Sequence, residues 1–173
     1  MKSRRTGNGS ILVIGIGNDG RQDDGLGWRF AEQVTALKNE EVDCEFRYQL
    51  QVEDVLPVCR YSKVFFVDAT QENLPQGYEI KPCLPARHYF FSSHVQTPET
   101  ILYLANELYS RQPEAYTIAI SGEKWGVGMK LSEAASGNMQ QALAGFTSSY
   151  LSHKPDSGEK QSTGGYKSYH TRL

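Results

Sequence analysis

The feature that most constrains the fold is an uninterrupted aliphatic run at residues 11–14, which passes directly into Gly15-Ile16-Gly17-Asn18. A strand without polar alternation is typical of a parallel sheet, because helices cover such a strand on both faces. Asp24 then stands where the N-cap of a helix would stand. Behind it, apolar residues recur at near-helical spacing: Leu26, Phe30, Val34 and Leu37. The segment therefore predicts a strand, a loop and a helix, in that order.

The same alternation of strand and helix continues along the chain. Aliphatic and aromatic runs predict further strands at residues 44–50, 64–67, 78–81 and 116–120, the third strand of the chain ending at Asp68. Apolar spacing predicts a short helix at residues 52–61, a helix after Thr97-Pro98 and a last helix from about Ser132. Repeated βα units form a parallel sheet with helices on both faces. We therefore expect an α/β fold: one αβα domain over residues 1–151, with a mostly parallel five-stranded sheet.

The last part of the chain, residues 152–173, differs in composition from the rest. It is rich in Ser, Gly, Lys and Tyr and has few aliphatic residues. Such a segment has little apolar area with which to offset the entropy that is lost on ordering. We expect it to be a disordered polar tail.

Length and composition exclude several classes of protein. A chain of 173 residues with 39% hydrophobic and 22% charged residues is typical of one soluble domain. A formal net charge of −2 provides no broad basic surface for nucleic acid. No apolar run approaches the roughly 18 residues that span a membrane. The thiols Cys44, Cys59 and Cys83 are far apart and form no C-x-x-C pair, which favours reduced cysteines and a cytoplasmic location. We expect a monomer.

Three residues could form one polar site. Asp24 follows the first predicted strand and Asp68 ends the third, and the ends of neighbouring parallel strands face the same crevice. His94 precedes the Thr97-Pro98 helix, in a loop from which its imidazole could reach that crevice. Two carboxylates and an imidazole suit a divalent first-row metal such as nickel, zinc, copper or iron. Three protein ligands leave coordination positions open, which favours a catalytic or recognition site.

The order of these motifs resembles that of the hydrogenase maturation endopeptidases. Gly15-x-Gly17-Asn18 followed by Asp23-Asp24-Gly25-x-Gly27 is similar to the signature loop of that family. Val67-Asp68-Ala69 and Ser93-His94 match later motifs of the family in order and spacing. The resemblance extends from about residue 11 to residue 150.

The resemblance implies both a site and an activity. Asp24, Asp68 and His94 would contact nickel. Family members recognise nickel already inserted into the large subunit of a nickel–iron hydrogenase and then remove the C-terminal extension of that subunit. The implied partner is this precursor, and the implied metal is nickel presented by the substrate. The loop that presents Asp24 would be shaped by Gly15, Gly17, Asn18, Asp23 and Gly25.

Other functions remain open for the same residues. Gly15-x-Gly17-x-x-Gly20 after a strand fits a dinucleotide-binding loop, although the neighbouring aspartates oppose a pyrophosphate and the predicted helix begins near Gly25. A non-catalytic nickel-binding chaperone would use the same three ligands. Asp24 and Asp68 could instead share a proton as an aspartic-protease pair. A competing soft metal cluster would consist of Cys83, His88 and His94, whose spacing matches no strong zinc pattern.

Each site residue also has a plain structural interpretation. Asp24 could cap the following helix, and Asp68 could accept hydrogen bonds in a turn. His94 could be a locally bonded or solvent-facing histidine. Only the three residues together, in this order, favour a metal site.

Overall fold

The computed structural model describes residues 11–86 and 95–151 as one α/β domain. The strands are β1 (Ile11–Ile16), β2 (Val42–Arg47), β3 (Lys63–Thr70), β4 (Tyr78–Pro82) and β5 (Glu114–Ser121). The helices are α1 (Leu26–Ala36), α2 (Val55–Val58), α3 (Pro98–Tyr109) and α4 (Glu133–Phe146). Short 3-10 turns at Gln22–Gly25 and Val52–Asp54 precede α1 and α2, and a π-helical turn at Thr147–Leu151 follows α4.

The sheet has the strand order β2-β1-β3-β5-β4. The strands β2, β1, β3 and β5 are parallel to one another, and β4 pairs antiparallel with β5 at one edge. In the centre, Val13 of β1 pairs with Phe65 of β3. The mostly parallel five-stranded sheet is therefore confirmed, as is the expectation that β1 and β3 are neighbours.

Two apolar layers cover the sheet. On one face Val13 and Phe65 pack with Phe30 of α1 and Phe146 of α4. On the opposite face, the other side chains of β1 and β3 pack against α2 and α3. Leu102 of α3 is buried in this layer. Each fully buried Phe or Leu side chain contributes about 1.5–3 kcal/mol relative to exposure. Helices on both faces were expected from the continuous apolar strands, and the structure confirms them.

α3 and α4 each begin at a side-chain cap: Thr97 and Pro98 start α3 as the sequence predicted, and Ser132, where the last helix was expected to begin, caps α4. The Thr97 hydroxyl accepts a hydrogen bond from the Thr100 N–H at 3.3 Å, and Pro98 occupies the first turn. The Ser132 hydroxyl accepts from the Ala135 N–H at 3.1 Å. Such caps satisfy backbone donors that have no partner within the helix.

Several predicted boundaries are corrected by the structure. β2 ends at Arg47, whereas the sequence predicted a strand to residue 50. The helix predicted at residues 52–61 is a 3-10 turn followed by a four-residue α-helix. β3 continues beyond Asp68 to Thr70, because these residues still pair with β5.

Further predictions concern the cysteines, a membrane-spanning helix, two histidines and the C-terminal tail. All three thiols are free, as expected. None of the described helices is long and apolar enough to cross a membrane. The proposed ligand His94, the alternative ligand His88 and the 152–173 tail lie outside the described residues.

Candidate functional site

The loop between β1 and α1 folds back on itself at the carboxyl edge of the sheet. Gly17 has a φ of 126°, and its N–H donates to the Arg47 carbonyl at 2.9 Å. The Asn18 N–H lies 3.1 Å from the Asp24 carbonyl and 3.2 Å from Asp24 Oδ2. The Asn18 side chain in turn accepts from the Gly20 N–H at 2.9 Å. These bonds fix the position of Asp24 relative to the end of β1.

Glycine is required at position 17 for two separate reasons. Its positive φ is a conformation that residues with a side chain rarely adopt. A Cβ at this position would also lie only 2.0 Å from the Asp24 carbonyl oxygen. The same Cβ would lie 3.9 Å from Asp68 Oδ1. The two predicted site residues Asp24 and Asp68 therefore both reach the neighbourhood of Gly17.

Asp24 does not cap α1, so the capping interpretation is wrong. It lies in the 3-10 turn Gln22–Gly25, and the N-cap position of α1 is Gly25, with no side-chain cap hydrogen bond. The side chain is half-buried. Oδ2 accepts from Asn18, whereas Oδ1 accepts no hydrogen bond from the described residues. One carboxylate oxygen is thus available to a ligand.

Asp68 lies within β3, where it pairs with Ala119 of β5. Its Oδ1 accepts a hydrogen bond from the Ala69 N–H at 2.8 Å, and Oδ2 accepts none from the described residues. The residue is exposed to solvent. Like Asp24, it offers one free oxygen at the edge of the sheet.

The electrostatic surroundings of Asp68 disfavour its charged form. Its pKa is raised to about 6, chiefly through desolvation by the surrounding protein and in smaller part through the negative charge of Asp24, against the lowering effect of the Ala69 hydrogen bond. The influence of Asp24 agrees with the position of its backbone carbonyl and of the Asp68 carboxylate, both of which lie near Gly17. A cation between the two carboxylates would relieve the repulsion.

Asp23, the neighbour of Asp24, is a structural residue. It is 0% exposed, and its carboxylate accepts four hydrogen bonds. Two come from the backbone N–H groups of Glu123 and Lys124, at 2.8 Å each, and two from the N–H and hydroxyl of Ser132, at 2.7 Å each. Burial alone would raise the pKa of Asp23, but these hydrogen bonds outweigh it and lower the pKa below its ordinary value. Asp23 therefore ties the loop to the start of α4.

Two further motif glycines allow α1 to approach the sheet. A Cβ on Gly15 would lie 2.3 Å from the Gly27 carbonyl oxygen, and a Cβ on Gly27 would lie 2.4 Å from the Val67 carbonyl oxygen. Gly25 is similarly close to Asp19. The glycines thus serve helix packing, and α1 begins only at Leu26, eight positions after Asn18. A dinucleotide loop needs its helix to begin directly behind the glycines, so this geometry does not favour that alternative.

The described residues provide two of the three predicted metal ligands. Asp24 and Asp68 each have one carboxylate oxygen that accepts no hydrogen bond from the described residues, and carboxylates suit divalent cations. No group of three or more His, Cys, Asp and Glu side chains that could hold a metal ion occurs within residues 11–86 and 95–151. The third predicted ligand, His94, is not among these residues. The metal and its ligand set stay predictions.

The sequence patterns did not single out the loop after β5, which is hydrogen-bonded to the loop that carries Asp24. The Gln22 N–H donates to the Gly128 carbonyl at 2.6 Å, and the Gly128 N–H donates to the Gly20 carbonyl at 2.9 Å. The Gly126 N–H also donates to the Gln22 side chain at 2.9 Å. The three closely spaced glycines Gly122, Gly126 and Gly128 were the one available sign of an unusual backbone path.

Comparisons with known proteins agree with this architecture. No protein-family model matches the chain, and no curated protein sequence matches it. Among solved structures, the hydrogenase maturating endopeptidase HybD from E. coli has a TM-score of 0.63 and 18% identity, over 80% of this chain and 90% of that one.

Two archaeal structures are similar to the chain in the same way. The hydrogenase maturation protease HycI from Thermococcus kodakarensis has a TM-score of 0.60 and 21% identity, over 83% of this chain and 93% of that one. A hydrogenase 2 maturation peptidase from a Thaumarchaeota archaeon has a TM-score of 0.59 and 20% identity, over 80% and 96%. The chain therefore has the fold of the hydrogenase maturation peptidases.

Proposed function

We propose that this protein is an endopeptidase that removes the C-terminal extension of a nickel–iron hydrogenase large-subunit precursor after nickel has been inserted. The observation that carries the proposal is the placement of Asp24 and Asp68 next to Gly17 at the carboxyl edge of the sheet, where the charge of Asp24 acts on the Asp68 carboxylate. Sites of open parallel sheets lie at this edge. The similar solved structures are named hydrogenase maturation peptidases, which supports the same substrate class.

In this proposal nickel belongs to the substrate. The free oxygens of Asp24 and Asp68, together with His94, would contact nickel held in the precursor, so that only a loaded precursor is bound productively. A bound divalent metal can polarise a carbonyl or activate water. The protein contributes two carboxylates fixed by the bonds from Asn18 and Ala69. We further propose that the protein acts as a cytoplasmic monomer.

A non-catalytic nickel-binding chaperone would use the same carboxylates, and only cleavage separates the two functions. The test is incubation of the purified protein with a nickel-loaded large-subunit precursor and with a nickel-free sample of the same precursor. The products are weighed by mass spectrometry. We expect loss of a C-terminal peptide from the loaded precursor alone. Intact precursor in both samples, accompanied by nickel-dependent complex formation, would replace the peptidase proposal with the chaperone.

A further inference from the structure

A band of exposed aromatic and aliphatic groups borders the carboxylate site. Tyr48, directly after β2, is 64% exposed, while Val127 and Met129, in the loop after β5, are 95% and 66% exposed. Between them lie Trp28 and Arg29 in the first turns of α1. We call these five residues the rim.

A ring contact and a hydrogen bond connect the rim residues. The ring centroids of Tyr48 and Trp28 are 5.0 Å apart. Arg29 follows Trp28 on α1, and its Nη2 donates to the Met129 carbonyl at 3.4 Å. Val127 and Met129 flank Gly128 in the loop after β5. The surface therefore runs without a break from the end of β2 to the loop after β5.

The rim is attached to the loop that carries Asp24 at both ends. At one end the Trp28 indole N–H donates to the Arg47 carbonyl at 2.9 Å, and the same carbonyl accepts from Gly17. At the other end Gly128 pairs with Arg21 as an isolated parallel bridge. A chain segment lying along the rim would thus pass beside the carboxylates.

The backbone of Val127 offers a pairing edge. The N–H and C=O groups of Gly128 both point to the Asp24 loop, where they bond to Gly20 and Gln22. The N–H and C=O groups of Val127 have no hydrogen-bond partner among the described residues. An extended peptide could pair with this edge, with its side chains against the rim.

We propose that the rim docks the polypeptide substrate by binding an extended segment that carries apolar side chains next to the bond to be cut. This inference rests on the proposed function and specifies how the precursor is held. Tyr, Trp, Met and Arg are the residues enriched in the cores of protein interfaces, and all four are present in the rim. The continuity of the rim with the carboxylate loop identifies the occupant as the chain that is processed there.

The test compares Val127→Asp with Leu108→Asp in the cleavage of nickel-loaded precursor. Leu108 is 61% exposed and lies near the C-terminal end of α3. This end leads to the start of β5, so Leu108 is near the amino ends of the strands, whereas the carboxylates are at their carboxyl ends. We expect Val127→Asp to raise KM about tenfold or more, as for loss of an interface anchor, with little change in kcat. Leu108→Asp should keep the wild-type KM.

Failure of the inference can be told apart from failure of the proposed function. If the wild-type protein releases no peptide, the proposed function is wrong. If the wild type cleaves and Val127→Asp has the same KM, the rim inference alone is overturned. Equal increases in KM for Val127→Asp and Leu108→Asp would also overturn the rim inference. A wild-type dimer that becomes monomeric in Val127→Asp, with unchanged KM, would assign the rim to a second copy of the chain instead.

Discussion

Asp23 and Asp24 are adjacent in the chain, but their carboxylates have opposite environments. That of Asp23 is fully buried and accepts four hydrogen bonds from Glu123, Lys124 and Ser132. That of Asp24 is half-buried and accepts one bond from Asn18, and its other oxygen accepts none from residues 11–86 and 95–151. The first residue joins the loop to α4, and the second faces the candidate site.

The pair therefore provides a matched test of structural and functional roles. Asp23→Asn places an amide NH2 group against backbone donors, and leaving such buried groups without partners should lower the free energy of unfolding by about 2–4 kcal/mol. Asp24→Asn keeps an oxygen for the Asn18 N–H and should change the free energy of unfolding by less than about 0.5 kcal/mol. Urea unfolding followed by circular dichroism measures both. Equal destabilisation by the two changes would contradict the assignment.

A second prediction concerns the glycine at the centre of the site. Gly17→Ala should destabilise the fold and abolish cleavage, because the added Cβ would lie 2.0 Å from the Asp24 carbonyl oxygen at a φ of 126°. Gly137 in α4 is the control, since nothing lies within 4 Å of a Cβ at that position. Gly137→Ala should stabilise the protein by about 0.5–1 kcal/mol through helix propensity. Thermal unfolding of both variants checks the contrast. A Gly17→Ala variant with wild-type activity would mean that the loop does not position Asp24.

The third prediction is a pH dependence of stability in the metal-free protein. The pKa of Asp68 is raised from 3.8 to about 6, chiefly by desolvation. Between these values the folded state binds more protons than the unfolded state, so Asp68 lowers stability as the pH rises through this window. Asp68→Asn removes this cost, and the variant should be more stable than the wild type above pH 6. The advantage should shrink as the pH falls to about 4. A difference in stability that is independent of pH would show that Asp68 is not perturbed.

The fourth prediction compares a shielded ion pair with an exposed one. Asp54 is 3% exposed, and its Oδ1 lies 2.6 Å from Arg47 Nε. Arg47 is also the residue whose carbonyl accepts the Gly17 N–H. Arg47→Met removes the cationic partner of this carboxylate and should lower the free energy of unfolding by about 2–3 kcal/mol. The loss is smaller than for a fully buried pair because Arg47 keeps solvent contact. Lys63→Met breaks the more exposed Lys63–Glu114 pair and should cost less than about 1 kcal/mol. Similar losses for the two variants in urea unfolding would refute the difference.

Most of the fold could be predicted because its signals are local. The aliphatic runs of β1 and β3 are buried on both faces, and the caps Thr97 and Ser132 act within four residues of themselves. Boundaries were less reliable where the deciding contact is distant. β3 extends to Thr70 only because it pairs with Ser121 of β5.

The site was predictable in part for the same reason. The position of Asp68 near the end of a central strand follows from the apolar run before it, and its approach to Asp24 follows from the neighbouring positions of β1 and β3. The role of Asp23 could not be derived from local sequence, because its partners lie 100 to 109 positions away. The rim was not predicted either, since single exposed residues such as Val127 carry no pattern in the sequence.

The most direct test of the central claim is the rate of C-terminal peptide release from a nickel-loaded large-subunit precursor, measured for the wild type and for Asp24→Asn at matched folded protein concentrations. We expect the wild type to release the peptide from the nickel-loaded precursor and none from the nickel-free precursor. The rate for Asp24→Asn should fall at least about a hundredfold, as for removal of a group that acts on the reacting centre. Cleavage by Asp24→Asn at the wild-type rate, or equal cleavage of the nickel-free precursor, would contradict it.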